Sequence, residues 1–315
     1  MNIKSFVLHN GRQLGTFLGL IILIAIFQIL TGRFLNSSNL LTIANQASIN
    51  AVIAAGMTFV IITKGIDLSV GSIMAFSGVV LASASQAGLS LPILILIGLG
   101  VGFAVGMLNG FIISYGKITP FIVTLGMMSI ARGGATLYKQ KVVSDIQTYS
   151  DAFLFIGNGK LLGIPFLVAI MIFVFIISAM VLSRTKFGRY TYAIGGNEEA
   201  ATLSGIRVKM NKAFVYGLSG LLAGLAAIMH TAKHEGINST AGDMYELNAI
   251  AAVVIGGTSL FGGQGKLSGT LIGALIMAVL NSGLVQLGVD DSIKKIMIGS
   301  VIVLAVFGDQ LLKRK

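Results

Sequence analysis

Long apolar runs separated by short polar or glycine-rich breaks make up most of this chain. Cut at those breaks, ten runs fall at 14–31, 43–63, 72–88, 91–113, 119–137, 164–182, 213–231, 248–263, 267–287 and 293–308. Crossing the hydrocarbon core of a bilayer takes roughly 20 apolar residues as a helix, so each run is a candidate span. The expected fold is all-α, a polytopic membrane protein with about ten transmembrane helices, forming a single domain over residues 1–315. The breaks between runs are too short to house a soluble catalytic domain. Lys4 and Arg12 precede the first run as they would in a signal peptide, but no small-x-small cleavage site follows it. The run therefore reads as the first transmembrane helix.

Composition supports the same reading: 55% of the residues are apolar, against 22 Lys and Arg and 11 Asp and Glu in 315 residues. A soluble chain carries about a quarter charged residues. The net charge of +11 would suggest a nucleic-acid partner in a soluble protein, but here the basic residues lie between apolar runs, where they report orientation. An even number of spans puts both termini on one side, and placing both in the cytoplasm puts 14 of the 22 basic residues inside. The bias is strongest in the loop 183–212, with Arg184, Lys186, Arg189, Arg207, Lys209 and Lys212, and at the terminal Lys313-Arg314-Lys315. On the outer side the longest connection, 138–163, has room for a short surface helix and offers a surface to an external partner.

Within the fourth run Gly98, Gly102, Gly106 and Gly110 recur at every fourth position, followed by Ser114. Such a stripe lies on one helical face and lets two backbones approach closely, so these glycines are expected to pack helix on helix. Two stretches, Asn50-Ala-Val-Ile-Ala-Ala and Asn248-Ala-Ile-Ala-Ala-Val, hint at an internal repeat of the kind from which transporters are often built.

Catalytic and cofactor motifs are missing. Gly116-Lys117 and Gly265-Lys266 fail as phosphate loops, because Phe111 and Leu260 stand where the first glycine belongs and Ile118 and Leu267 where a hydroxyl should hold magnesium. No cysteine is present, so thiol chemistry and iron–sulfur clusters are excluded. His230 and His234, with Glu235 beside them, have metal-ligand spacing, but no further ligands can be named and no metal is expected. His9 lies in the N-terminal tail, away from any buried serine and acid.

The stretch Gly196-Asn197-Glu198-Glu199-Ala200-Ala201-Thr202-Leu203-Ser204-Gly205 in the basic inner loop has the composition of a very short helix. Asn197 is an N-cap, Glu198 and Glu199 place negative charge at the positive end of the helix dipole, Ala200, Ala201 and Leu203 favour helix, and Gly205 can end it. Too short to span, it must lie at or below the inner surface. The residues alone leave open whether it merely connects two spans or docks on a cytoplasmic partner. Asp67 with Ser69 reads as the N-cap of the third helix, an acid in a membrane segment being also a functional candidate. Asn50, Asn109, Arg132, Tyr245, Glu246 and Asn248 carry the same ambiguity: each lines a polar route or satisfies a neighbour.

Three stretches carry a family. Gly56 to Ser72 (GMTFVIITKGIDLSVGS), Gly188 to Ile206 (GRYTYAIGGNEEAATLSGI) and Tyr245 to Leu260 (YELNAIAAVVIGGTSL) closely resemble the membrane permease subunits of bacterial ABC sugar importers. The likeness runs from about Phe34 to the C-terminus and is nearest to the ribose branch, while xylose, galactose and autoinducer-2 permeases share much of the pattern. It implies a subunit of the bacterial inner membrane, working as a homodimer or occasionally a heterodimer, with no enzymatic activity and no cofactor of its own. ATP and Mg are expected on a separate cytoplasmic ATPase, and an extracytoplasmic sugar-binding protein is expected to dock above. The resemblance favours the docking reading of the helix at 197–204, as the coupling helix that seats in the ATPase. It also implies transport by alternating access, with most of the specificity in the binding protein. The chain departs from the pattern at Asn248, where the ribose branch often has aspartate, and no proton or sugar role is assigned there; the substrate path is left unassigned.

Two other classes compete. A secondary carrier needs acids buried in the midplane as a relay, whereas the acids here fall at loops and span ends. An intramembrane enzyme needs a paired nucleophile and base, and neither a Ser/His nor an Asp/Asp pair is evident.

Overall fold

The computed structural model describes residues 3–138 and 149–313. Helices dominate, in the order α1 (Ile3–Thr31), α2 (Ser37–Ile62), α3 (Val70–Gln86), α4 (Leu91–Gly116), α5 (Pro120–Tyr138), α6 (Asp151–Asn158), α7 (Phe166–Arg184), α8 (Lys186–Gly196), α9 (Glu198–Leu203), α10 (Val208–His234), α11 (Tyr245–Ile255), α12 (Leu267–Gln286) and α13 (Asp291–Lys313). Between α6 and α7 the two-residue strands β1 (Lys160–Leu161) and β2 (Ile164–Pro165) pair antiparallel. In the connection 138–163, α6 is the short helix for which that segment left room; Lys139, Lys141 and Asp145 lie outside the described residues.

Seven helices among the described residues are long and apolar enough to cross a membrane: α1 from Leu14, α2, α4, α5, α7, α10 and α12. Ten were expected, and seven of that length and apolarity are present among the described residues. The run at 248–263 is α11, an eleven-residue helix of about 16 Å, too short to span. It ends at Gly256, where Gly257 adopts φ +90° and the N–H groups of Gly257 and Thr258 turn back to the carbonyls of Val254 and Val253. A left-handed residue just past the last turn is how a helix is stopped, and Gly262 and Gly263, also at positive φ, keep the following segment irregular. α3, with 17 residues, falls short of the span length, and α13 carries Asp291, Lys294 and Lys295 in its first turns.

α2 and α10 are mostly buried within the protein, whereas α1, α4, α5 and α7 bury a third or less of their spanning windows. The outer helices turn large apolar side chains outward, among them Leu96, Ile122, Ile130 and Phe173, as lipid contact demands. The central helices instead carry small and polar residues, which neighbouring helices can satisfy.

α4 and α10 come closest. A Cβ built on Gly102 would strike the Gly220 carbonyl and sit 2.9 Å from Gly224 Cα; one on Gly106 would strike the Tyr216 carbonyl and sit 2.9 Å from Gly220 Cα. On Gly110 it would lie 2.5 Å from Ala213 Cα, and on Gly98 it would lie 2.8 Å from the Ile228 side chain. Gly220 and Gly224 of α10 meet the backbone of α4 in the same way. The seam is therefore backbone against backbone, a spacing that only residues without side chains permit.

Beside this seam lies Asp67, fully buried in the loop between α2 and α3. Its Oδ1 accepts from the Ser69 backbone N–H at 3.0 Å and the Ser69 hydroxyl at 2.6 Å, and its Oδ2 accepts from Ser219 of α10 at 3.0 Å. Asn109 of α4 donates to Ser69 Oγ at 2.9 Å. Neither Asp67 nor Ser69 caps α3 in the expected way, because Ser69 occupies the N-cap position without a side-chain bond into the first turn. The carboxylate instead ties a loop to α10, and through Ser69 and Asn109 to α4. Burial pushes its carboxyl above the usual carboxylate range, against the opposing effect of the bonds from Ser69 and Ser219.

Replacing Gly106 with leucine should destabilise the folded protein by about 3 kcal/mol or more, since the overpacked atoms meet backbone that cannot move aside. Gly100→Leu, on the same helix but with open space around it, should be tolerated; thermal unfolding in detergent compares the two. Asp67→Ala should cost about 2–3 kcal/mol by stranding buried hydroxyls, while Asp67→Asn, which can still bond both serines, should stay within about 1 kcal/mol. Because burial raises the carboxyl's pKa, wild type should gain on Asp67→Asn as pH falls through that raised value, which melts recorded across pH will show.

Candidate functional site

The basic loop folds into two short helices. α8 opens on Thr185, whose hydroxyl accepts from the Gly188 N–H at 3.2 Å, and it buries Gly188, Thr191, Ile194 and Gly195. Asn197 breaks it with an extended backbone and caps α9, its Oδ1 accepting from the Ala200 N–H at 3.0 Å. α9 ends on Gly205 at φ +79°, with the N–H of Gly205 bonded to the Thr202 carbonyl and that of Ile206 to the Ala201 carbonyl. This is the doubly bonded left-handed stop that glycine favours. Ala201 packs with Ile194, Ile206 and Val208 in a small apolar cluster of its own.

One face of α9 is thus anchored and the other is bare. Gly196, Asn197, Glu198, Glu199, Ala200, Leu203, Ser204 and Gly205 are all exposed, and Leu203 is 89% exposed. Glu198 is held by Lys212 of α10, whose Nζ lies 3.1 and 3.2 Å from the two carboxylate oxygens. A rigid, capped, two-turn projection with a leucine at its tip and acids on its first turn has the form of a knob for a complementary groove. No catalytic group accompanies it.

Its seat was not legible in the sequence. Gly195 lies so close to the Ile62 carbonyl at the C-terminus of α2 that a Cβ could not be accommodated. The same carbonyl accepts from the Gly263 N–H at 2.9 Å, Tyr192 of α8 donates to the Gly265 carbonyl at 2.7 Å, and Lys64 Nζ donates to the Gly196 carbonyl at 3.2 Å. The α8–α9 pair is therefore pinned to the end of α2 and to the glycine-rich segment that follows α11. Backbone carbonyls do this work, and they leave no residue signature beyond the glycines that admit the approach.

The ambiguous polar residues separate by position. Arg132 of α5 donates through Nη1 to the carbonyls of Ser239 and Ala241, at 2.5 and 2.8 Å, holding the loop that leads into α11. Glu246 is buried in the first turn of α11, next to the contact between Gly71 and Gly242, and Asn109 belongs to the Asp67 cluster. Asn50, Tyr245 and Asn248 face one cavity at the end of the bundle away from α9. His230 and His234 do share a face, with ring centroids 4.4 Å apart, but Glu235 turns away in a left-handed conformation and accepts from Asn158 at 3.3 Å. Among the described residues no group of three or more His, Asp or Glu could hold a metal ion.

Comparison with known proteins adds to this geometry. The family described as the permease component of branched-chain amino acid transport systems matches residues 39–306. The ribose import permease protein RbsC of Bacillus subtilis (strain 168) is 46% identical over 300 residues, covering 95% of this chain and 93% of that protein. RbsC of Escherichia coli (strain K12) is 46% identical over 294 residues, 93% and 92% of the two chains. The galactose/methyl galactoside import permease protein MglC of the same strain is 35% identical over 332 residues, 99% and 97% of the two chains. No solved structure gives a significant match. With the matched region reaching from α2 into α13, this multi-pass membrane chain belongs to that family of transport-system permease components.

Proposed function

We propose that the chain is the membrane subunit of an ATP-driven importer that carries a monosaccharide, ribose before xylose, galactose or autoinducer-2, across the bacterial inner membrane by alternating access. The observation that carries this reading is 46% identity to ribose import permeases over nearly the whole chain. The chain works as one permease domain over residues 1–315, in a homodimer embedded in lipid. A cytoplasmic ATPase supplies ATP hydrolysis and its magnesium, and a sugar-binding protein delivers the cargo from the other side. The full subunit crosses the membrane ten times when α3, α13 and α11 with its following loop are counted with the seven long helices, and both termini are cytoplasmic.

In this reading α9 is the coupling helix. Gly196, Asn197, Ala200, Ser204 and Gly205 set its shape and ends, while Glu198, Glu199 and Leu203 present its docking surface. Movement imposed on α9 passes through α8 to the end of α2 and the segment after α11, because α8 is bonded to both. The glycines at 98, 102, 106 and 110 keep α4 and α10 moving as one body. Nothing in this scheme calls for an ion relay: Asp67 already accepts three hydrogen bonds.

Uptake of labelled ribose by cells with and without the chain, in the presence of excess unlabelled xylose or galactose and after ATP depletion, tests the cargo. ATP-dependent uptake that requires the chain and resists those competitors is expected; ribose uptake that persists without the chain would move the cargo to another sugar. Glu199→Lys combined with Leu203→Glu should lower uptake about tenfold or more while protein yield in the membrane stays normal, and unchanged uptake would remove the coupling role from α9. The chain lacks cysteine, so Ser204→Cys and Leu162→Cys each carry one reactive thiol. An impermeant maleimide should label the second but not the first in intact cells, and labelling of both would break the proposed orientation.

A further inference from the structure

Where α2, α10, α11 and α12 meet lies a cavity of about 450 Å³, within the ~300–1,000 Å³ range of small-molecule sites. Val208, at the start of α10 next to α9, and His230, in the cavity wall, are separated by roughly 33 Å of helix at 1.5 Å per residue. Cavity and knob therefore sit at opposite ends of the bundle.

The wall is built from neutral hydrogen-bonding side chains: Asn45 and Asn50 of α2, His230 of α10, Tyr245 and Asn248 of α11, and Asn281 of α12. No carboxylate lines it. Its lysine, Lys233, donates to Asn158 Oδ1 at 3.0 Å and is thereby directed to α6. A cation would find no counter-charge here, and the one lysine that could meet an anion is engaged by Asn158.

A second observation is independent of shape. The Oδ1 atoms of Asn45, Asn50 and Asn248 and the Nδ1 of His230 are buried without a hydrogen-bond partner. Buried polar atoms are rarely left so, because each gave up its water without replacement. All four belong to side chains that line one cavity, where a bound partner can complete their hydrogen bonds. The partner that fits offers several donors and acceptors close together and bears no charge. Hydroxyl groups on adjacent carbons do this, since each donates once and accepts, and a carboxamide can accept from one while donating to its neighbour.

We infer that this cavity is a binding site within the single subunit for a neutral polyhydroxylated solute, a monosaccharide on the proposed function, on which the identity of the solute rests. The two similar stretches at 50–55 and 248–253 each open on an asparagine, and both asparagines line the site. The helices that bear them are also tied to α8: α2 through its C-terminal end, and α11 through the glycine-rich segment that follows it. Occupancy at one end and docking at the other thus act on the same two rods, and a shift of α2 against α11 would alter the spacing of Asn50 and Asn248.

A single thiol tests the site directly. The purified full chain bearing Asn281→Cys is labelled with maleimide in the presence of D-ribose, D-xylose or D-galactose, with Ser204→Cys as the control far from the site. The expected result is that at least one sugar slows labelling at position 281 saturably, by about tenfold, and leaves position 204 unchanged. Adding Asn50→Leu or Asn248→Leu should shift the half-protecting sugar concentration upward by about five- to tenfold for each lost set of bonds. Labelling at 281 that no sugar slows, or that slows equally at 204, overturns the site. Protection by another sugar but not by ribose supports the site and removes ribose from the proposed function. If Asn50→Leu fails to give folded protein, the Asn248→Leu shift decides the same point.

Discussion

The architecture rests on the close approach of α4 and α10. Lipid offers no hydrophobic drive to bring two apolar helices together, so their association depends on packing, and packing is densest where backbones touch. Glycines on both helices make that contact possible: Gly98, Gly102, Gly106 and Gly110 from one side, Gly220 and Gly224 from the other. With the seam closed, Ser219 and Asn109 both reach the loop between α2 and α3, where they bond Asp67 and Ser69. A side chain at any of the central glycines would separate the helices and strand that buried carboxylate.

Around this seam the helices divide their work by what they face. α1, α4, α5 and α7 turn most of their surface outward and are correspondingly apolar; α2 and α10 are enclosed by protein and can carry amides, hydroxyls and imidazoles. Polar groups placed in the interior have to be paired, and most of them are: Arg132 with two carbonyls, Thr58 with Thr270 at 2.8 Å, Asp67 with two serines. The unpartnered amides of Asn50 and Asn248 differ from other unpartnered buried atoms, such as Asn109 Oδ1 and the Tyr216 hydroxyl, in sharing the wall of one cavity. A transporter needs a place where pairing is left to the cargo, and the gathering of four such atoms on the wall of one space marks this one.

The irregular backbone is equally economical. α11 stops after eleven residues, and the glycine-rich segment beyond it folds back on the end of α2 and on α8. A continuous span would have carried those carbonyls and N–H groups away into the bilayer. The break lets one short helix present Tyr245 and Asn248 at its start and, through the segment following it, a landing surface for α8 and α9 at its end.

Much of this was legible along the chain. Apolar runs located the membrane helices, four-residue spacing marked the glycine stripe, and Asn197, Glu198, Glu199 and Gly205 specified a capped helix that begins at Glu198 and stops at Leu203. These are local properties, set by propensity, capping and periodicity over a few residues. Other features were not local. That 248–263 is half a helix and half a folded loop depends on glycines whose positive φ is used only because Ile62 and α8 lie within reach. That Asp67 links helices, and does not cap one, depends on Ser219, far away in sequence. Asn50 and Asn248 were marked by the two similar stretches they open, but nothing linked them to the amides at 45 and 281, and only the packing of α2, α11 and α12 gathered all four around one space. The sequence alone determined which segments become helices and where the well-capped ones end, because those choices are made within one or two turns. The tertiary structure alone decided which polar groups find partners and which are left facing a cavity, because a hydrogen bond across the bundle is a property of two helices and not of either one.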